Sequence, residues 1–168
     1  MAEGKVGRAE FLHRFGGIYE HSAWVAEEAY DEAAGDIDPG DRERLAQIFA
    51  RCVDRADRER RLALIRSHPD LADRAAIAGG LSAASSQEQQ SAGIDRCTPE
   101  EYERFQDLNR RYQQKFGFPF VMAVRGSNRR EILTAFATRL KNDVETEFAT
   151  AIKEIHKIAK LRLNADAN

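Results

Sequence analysis

The stretch TPEEYERFQDLNRRYQQKFG, residues 98–117, carries both a start signal and a stop signal for a long helix. Thr98 and Glu101 have the T-x-x-E spacing of a capping box, and Pro99 occupies the first helical position. Gly117 ends the pattern, because glycine readily adopts the left-handed conformation that closes helices. Between these signals the apolar residues recur every three or four positions, as one face of an α-helix requires. That face comprises Tyr102, Phe105, Leu108, Tyr112 and Phe116.

The same spacing continues on both sides of this helix. Further helices are predicted over residues 11–15, 22–30, 45–56, 62–65, 69–78, 132–140 and 144–159. Asp38 and Pro39 would cap and open the helix that contains residues 45–56. Gly79 would end the helix over residues 69–78.

Residues 118–126, FPFVMAVRG, form the one apolar segment without helical spacing. The segment is too short and too isolated to found a sheet, so we expect extended, buried chain. No internal repeat, linker or low-complexity tract interrupts the sequence. The sequence therefore predicts an all-α, single-domain bundle of about eight helices over residues 1–168, with one extended buried segment.

Length and composition agree with one globular domain and exclude several classes of partner. A chain of 168 residues buries roughly 70% of the surface that its unfolded form exposes. The 26 basic and 28 acidic side chains leave a net charge of -2, which does not indicate a nucleic-acid partner. No apolar run approaches the roughly 20 residues that span a bilayer, and neither end carries a targeting signal. We therefore expect a cytoplasmic protein without a membrane partner.

The two cysteines, Cys52 and Cys97, are predicted to be free thiols, because they lack CxxC spacing and make no disulfide framework. Cys52 lies on the apolar face of residues 45–56, which favours a packed thiol. Cys97 precedes a helix start, where a lowered thiol pKa is conceivable. The sequence around Cys97 offers no partner base, which favours an inert thiol there too.

Of the four histidines, His68 stands in the most unusual context. His13, His21 and His156 lie in helical sequence among charged neighbours without the spacing of a metal site, so we interpret them as solvated or capping residues and predict no metal. His68 precedes Pro69, which biases its backbone away from helical dihedrals. Its ring would stand at a helix entry, where it could project into a cleft. Position alone leaves both a structural and a catalytic role open.

Glu88 has two competing interpretations. Ser85 and Glu88 have the S-x-x-E spacing of a capping box, in which the glutamate would only return a hydrogen bond to the Ser85 backbone. Alternatively, the hydroxyls, amides and carboxylate of the SSQEQ cluster would stand with free backbone N–H groups at a helix N-terminus, which suits a polar, carboxylate-bearing ligand. The capping interpretation has the stronger support from spacing alone.

The extended segment offers a second part of such a site. Its N–H and C=O groups lack helical partners, and a planar, amide-rich ligand could bind them instead, although plain core is the default for these residues. Arg125 could provide another anion contact or an ordinary surface ion pair. The residues thus support a small-molecule site with one histidine and one glutamate, and they do not name the reaction.

Several motifs together resemble one enzyme family. These motifs are FGGIYEHSAWVAEEA near the start, ALIRSHPDLA, SSQEQQSAGID, NRRYQQKFGFPFVMAVRG and EIHKIAKLRL, and they cover nearly the whole chain. In this order they resemble 2-oxo-4-hydroxy-4-carboxy-5-ureidoimidazoline (OHCU) decarboxylase, which catalyses the last step of urate breakdown to (S)-allantoin. Ala23 departs from the family pattern, which often has proline before the tryptophan.

The resemblance implies an all-helical, cofactor-free enzyme that acts on the ureidoimidazoline and is often a homodimer. It assigns His68 as the catalytic acid or base and Glu88 as its partner carboxylate. The other residues implied at the substrate are Pro69, Ser85, Ser86, Gln87, Gln89, Phe120, Val121, Met122, Ala123, Val124 and, from its position alone, Arg125. The rival hypothesis is a non-catalytic helical module that binds a ureide, with Glu88 only a helix cap.

Overall fold

A computed structural model describes residues 4–72 and 82–166 of the chain. The described residues form eight α-helices and one 3-10 turn, without a β-strand, so the all-α prediction is confirmed. The helices are α1 Arg8–Phe15, α2 Trp24–Glu32, α3 Arg42–Arg55, α4 Arg58–Arg66, α5 Ala83–Ser91, α6 Pro99–Phe116, α7 Arg129–Arg139 and α8 Val144–Asp166, and the turn is Ile94–Arg96. None of these helices is both long and apolar enough to cross a membrane.

The residue contacts group the fold into two compact units. Unit 1 comprises Met1–Ser67 and Ile155–Asn168, and unit 2 comprises His68–Glu154. Helix α8 contributes its first part to unit 2 and its second part to unit 1. His68, Glu88 and the extended segment all belong to unit 2.

An aromatic cluster forms the centre of unit 1, where α2 packs against both α1 and α3. The rings of Phe11 and Phe15 lie 4.9 Å apart, and Phe49 meets Phe11 edge-on at 6.2 Å. All three side chains are buried. Offset and edge-on ring pairs of this kind stabilise a core beyond the area they bury.

Unit 2 is built around Tyr112 of α6. Its ring packs edge-on against Phe120 and Phe136, at 5.5 Å and 5.8 Å between centroids. Phe120 and Phe136 are themselves stacked at 3.9 Å with an interplanar angle of 9°. Of the apolar face predicted for this helix, Phe105, Leu108, Tyr112 and Phe116 are buried as expected, whereas Tyr102 is half-buried.

The extended segment is confirmed. Residues 119–124 adopt neither helix nor strand, and Phe118, Phe120, Val121 and Val124 are buried. Two of its backbone groups bind side chains of the protein itself: Arg139 Nη1 donates to the Val121 carbonyl at 2.6 Å, and the Ala123 N–H donates to Glu154 at 3.3 Å. For these two groups, the expectation that a ligand would supply the partner is wrong.

Two helix starts differ from the sequence prediction. Helix α3 begins at Arg42, where Asp41 accepts a bond from the Arg44 N–H. Asp38 instead accepts from the Gly40 N–H in the preceding turn. Helix α2 begins at Trp24 and not at residue 22, and Ala23 gives it no side-chain cap.

The helix predicted over residues 69–78 is not formed at residues 69–72, and the remainder lies outside the described residues.

The capping box of α6 is present as predicted. Thr98 Oγ1 accepts from the Glu101 N–H at 3.1 Å, and the Glu101 carboxylate accepts from the Thr98 N–H at 3.0 Å. The Thr98 backbone bond is the main reason that the pKa of Glu101 is lowered. The two N–H groups would otherwise have no partner inside the helix.

Replacing this cap should weaken the fold measurably. Thr98→Ala removes the hydroxyl that accepts from Glu101, so the free energy of unfolding should fall by about 0.5–2 kcal/mol. Thr98→Ser keeps the hydroxyl and should stay close to the parent. Urea denaturation of the three proteins measures the effect, and equal stability of Thr98→Ala and the parent would contradict it.

Candidate active site

His68 lies in a short non-helical segment that follows α4. Its side chain is buried, with 8% of its surface exposed, and Pro69 behind it is half-buried. The segment continues to Ala72, whose φ of 56° is unusual for a residue other than glycine. Since α4 ends at Arg66, His68 lies two residues beyond a helix end.

Three amide side chains of α6 hold the chain directly after Pro69. Gln113 Nε2 donates to the Asp70 carboxylate at 2.8 Å, and Asn109 Nδ2 donates to the Leu71 carbonyl at 2.9 Å. Gln106 Nε2 donates to the Ala72 carbonyl at 2.8 Å. Sequence reasoning did not single out these residues. Polar side chains spaced three and four apart, each directly after a residue of the apolar face, were the available signal.

Glu88 lies inside α5 and not at its start. Ser82 is the N-cap, because its Oγ accepts from the Ser85 N–H at 3.1 Å. The predicted capping box between Ser85 and Glu88 is therefore wrong: the helix begins three residues earlier than that interpretation requires. The sequence offers several serines in succession, and spacing alone did not choose among them.

One side of α5 faces inward. Ser85 and Gln89 are buried, and Glu88 is half-buried beside them. Ser86 is half-buried too, whereas Gln87 is exposed. Residues three and four apart share a helix face, so Ser85, Glu88 and Gln89 point to a common side while Gln87 points away from it.

The His68 segment and helix α5 are joined by one hydrogen bond. The Ala72 N–H donates to Gln89 Oε1 at 3.3 Å, and both groups are buried. The side-chain carbonyl oxygen of Gln89 is therefore bound to the segment that carries His68. This bond brings together the two parts of the chain that carry His68 and Glu88, seventeen residues apart at the bonded positions.

The extended segment provides both core and surface. Phe120, Val121 and Val124 are buried, whereas Met122 and Ala123 are half-buried and Arg125 is exposed. Their contact with a substrate stays a prediction.

A buried charge cluster lies next to the extended segment. Glu147 is fully buried and accepts hydrogen bonds from Tyr112 at 2.6 Å, Arg139 at 2.8 Å and Asn142 at 3.0 Å. Burial, and next the bond to Glu147, raise the pKa of Tyr112, so its hydroxyl stays protonated and donates. The Arg139 guanidinium also lies 4.3 Å from the Phe120 ring centre. No local feature of the sequence indicates this cluster, because its members lie on three separate helices and one turn.

Unit 1 contains another buried ion pair that sequence reasoning missed. Arg162 and Glu20 are 2.8 Å apart, with side chains only 7% and 3% exposed. Arg162 also donates to the Ile18 carbonyl, and Ser67 Oγ donates to the Glu20 carbonyl. The available signal was an arginine directly between two apolar residues of α8, Leu161 and Leu163. A buried charge of this kind requires a partner.

His156 is not the solvated or capping residue that we predicted. Tyr19 Oη and Asp54 each lie 2.9 Å from one of its ring nitrogens. Burial raises the pKa of Tyr19, so its hydroxyl stays protonated. In the tautomer with the hydrogen on Nε2, the ring accepts from Tyr19 at Nδ1 and donates to Asp54.

The cysteines are free thiols, as predicted. Burial, and next a bond to Glu32, raise the pKa of Cys52 to about 11. Burial raises the pKa of Cys97 as well, which is opposite to what a reactive thiol needs. Among residues 4–72 and 82–166, no group of three or more His, Cys, Asp or Glu side chains could hold a metal ion.

Comparison with known proteins places this architecture in a family. The family model described as OHCU decarboxylase matches residues 5–164. A 2-oxo-4-hydroxy-4-carboxy-5-ureidoimidazoline decarboxylase from Haloferax volcanii is 44% identical over 154 residues, covering 91% of this chain and 86% of that protein.

Two solved structures resemble the fold. A crystal structure of (S)-allantoin synthase has a TM-score of 0.75 and 32% identity, covering 96% of this chain and 51% of that one. A crystal structure of OHCU decarboxylase in the presence of (S)-allantoin has a TM-score of 0.69, with 95% and 97% covered, and its 20% identity supports the fold alone. From the family match over nearly its full length, the chain belongs to the OHCU decarboxylase family.

Proposed function

We propose that this protein decarboxylates OHCU to (S)-allantoin and CO2, with His68 and Glu88 as its catalytic pair and without a cofactor. The match of the OHCU decarboxylase family to residues 5–164 carries the assignment of the reaction. The bond between Ala72 and Gln89 supports the pair, because it ties the segment after His68 to the helix of Glu88.

The substrate can accept the electrons of its own decarboxylation. One ring carbon bears the carboxylate and a hydroxyl, and the adjacent carbon is the C=N carbon that bears the ureido group. When the carbon–carboxylate bond breaks, its electron pair forms a double bond between these two ring carbons while the imine nitrogen gains a proton. The enol then loses its hydroxyl proton, and the ureido-bearing carbon gains one. Loss of CO2 and net uptake of one proton balance the reaction.

The protein must therefore remove the hydroxyl proton of the enol and add a proton to the ureido-bearing carbon on one face of the ring. An imidazole can both take and give a proton near neutral pH, and a neighbouring carboxylate can take the opposite part. Acid–base catalysis of this type accounts for about 10²- to 10⁴-fold in rate, which is roughly 3 to 5 kcal/mol of barrier. Delivery of the proton to one face yields a single enantiomer.

The supporting residues follow from the same assignment. We place Pro69, Ser85, Ser86 and Gln89 near the substrate, together with the part of the extended segment that is only half-buried. Gln87 and Arg125, which are exposed, complete the proposed set. From the resemblance to the family, we also propose that the protein is a cytoplasmic homodimer with no nucleic-acid partner. Sedimentation analysis of the purified protein would test whether it is a dimer.

Incubation of the purified protein with freshly prepared OHCU tests the reaction directly. Absorbance follows the loss of substrate, and circular dichroism follows the appearance of optically active allantoin. The rival hypothesis, a helical module that binds a ureide without turning it over, predicts binding with no acceleration. Decay at the uncatalysed rate to a racemic product would overturn the proposed function.

Activity should survive removal of metal ions. Exhaustive dialysis against a chelator should leave kcat unchanged within error, because the proposed steps need only proton transfer and an imine that the substrate supplies. Parallel assays with and without added Mg²⁺ or Zn²⁺ measure the effect. Loss of activity after dialysis that a divalent ion restores would contradict the cofactor-free mechanism.

A further inference from the structure

The amide face of α6, formed by Gln106, Asn109 and Gln113, runs along the segment that follows His68. These residues stand three and four positions apart, so they share one side of the helix. Gln106 donates to the Ala72 carbonyl and Asn109 to the Leu71 carbonyl, and Gln113 donates to both carboxylate oxygens of Asp70. Successive residues of the segment are thus bound to successive positions of one rigid helix.

Asn109 lies at the centre of this face and is the most deeply buried of the three. Only 5% of its surface is exposed, and its Nδ2 donates to the Leu71 carbonyl. Its Oδ1 is buried and has no hydrogen-bond partner among the described residues. Burying an amide oxygen without a hydrogen bond costs desolvation free energy, and a hydrocarbon side chain of the same shape would avoid that cost. Packing alone therefore does not explain an amide at this position.

Ala72 shows why the segment needs such support. Its φ of 56° places an alanine in the left-handed region, a conformation that persists only where surrounding contacts impose it. Both of its backbone groups are held, the N–H by Gln89 and the carbonyl by Gln106. The amide face and helix α5 therefore fix the same residue from two sides.

We infer that the amide face is a positioning device that sets the orientation of the His68 ring, with Asn109 as its central residue. This inference rests on the proposed function, since it gives Asn109 a role in catalysis only through His68. Asn109 itself is a positioning residue: its bond is to the backbone of Leu71, three residues beyond His68.

The first test is the Asn109→Leu variant, which keeps the shape of the side chain and removes both the donor and the unpartnered acceptor. A small displacement of a catalytic group is enough to lower kcat by about 10- to 100-fold. KM should stay within about threefold of the parent, because Asn109 makes no proposed contact with substrate. Gln114→Leu is the matched control: Gln114 lies on the same helix and is exposed, so its kcat should equal that of the parent.

The second readout is the nuclear magnetic resonance spectrum of the histidine rings, with the His68 signals assigned by their loss in His68→Ala. In Asn109→Leu the His68 ring signals should shift or broaden, whereas those of the other three histidines should not. A fall in kcat with unchanged His68 signals would overturn the inference, since a general loss of stability would produce it. Changed signals with full kcat would overturn it as well.

Two further variants complete the test. If Asn109→Leu does not fold, Gln106→Met takes its place, because it removes the adjacent bond to Ala72 from a half-buried position. A lower kcat together with changed His68 ring signals would support the inference, and either change without the other would overturn it. Full activity in a folded His68→Ala variant would remove His68 from the mechanism, and the positioning role with it, whereas decay of OHCU at the uncatalysed rate with the parent protein would overturn the proposed function. Full activity in Asn109→Leu beside an inactive His68→Ala would overturn only the positioning role.

Discussion

In a folded His68→Ala variant, kcat for OHCU decarboxylation should fall by about 10²- to 10⁴-fold, which is the usual contribution of a general acid or base. The substitution removes the imidazole from a buried position after α4 and leaves Pro69 and the amide face in place. Steady-state assays at pH 7 measure the loss.

The control for His68→Ala is the same substitution at an exposed histidine. His13 lies on the outer side of α1 and is exposed, so His13→Ala should keep the parent kcat. Circular dichroism and thermal melts establish that both variants are folded. A folded His68→Ala enzyme with near-normal turnover would remove His68 from the mechanism.

Glu88→Gln should lower kcat by on the order of 10² or more while changing stability by less than about 1 kcal/mol. A glutamine keeps the length and the polar character of the side chain inside α5, but it cannot take up a proton or carry a negative charge. Glu103→Gln, at an exposed position of α6, is the matched control and should be indistinguishable from the parent.

A stability control for Glu88→Gln removes the N-cap of α5 and leaves Glu88 in place. Ser82 is the N-cap of α5, so Ser82→Ala should cost about 0.5–2 kcal/mol of stability while leaving the carboxylate of Glu88 intact. If Glu88 is catalytic, Glu88→Gln loses activity without a lower melting temperature, and Ser82→Ala shows the reverse. Equal kcat in Glu88→Gln and the parent would leave Glu88 without a chemical role.

Stereochemistry provides an independent measurement on the Glu88→Gln product. Decay without the enzyme has no facial preference and yields racemic allantoin, whereas the parent should yield one enantiomer. As the catalysed rate falls, the product of Glu88→Gln should drift toward the racemate. Circular dichroism of the product, taken at several enzyme concentrations, separates the two routes.

Local sequence signals predicted a helix start correctly where only one candidate capping residue stood near it. Thr98, Pro99 and Glu101 predicted the start of α6, and the structure contains both bonds of that capping box. Where several candidates stood close together, the same rules chose wrongly: Asp41 caps α3 in place of Asp38, and Ser82 caps α5 in place of Ser85. Competing capping residues differ little in the stability that they give a helix. The larger free energy of packing the helix against its neighbours therefore decides where the helix begins.

The sequence by itself determined the helical fold, because the spacing of apolar residues and the absence of helical spacing over residues 118–126 are properties of the chain alone. It also singled out His68 and Glu88, through a histidine before a proline and a carboxylate in a polar cluster. Only the tertiary structure decided the partners: Asn109 with Leu71, Gln89 with Ala72, and Tyr112 with Glu147. These pairs lie 38, 17 and 35 residues apart in the chain. A buried polar group must find a partner, but which distant residue meets it depends on how the helices pack, and no local pattern records that.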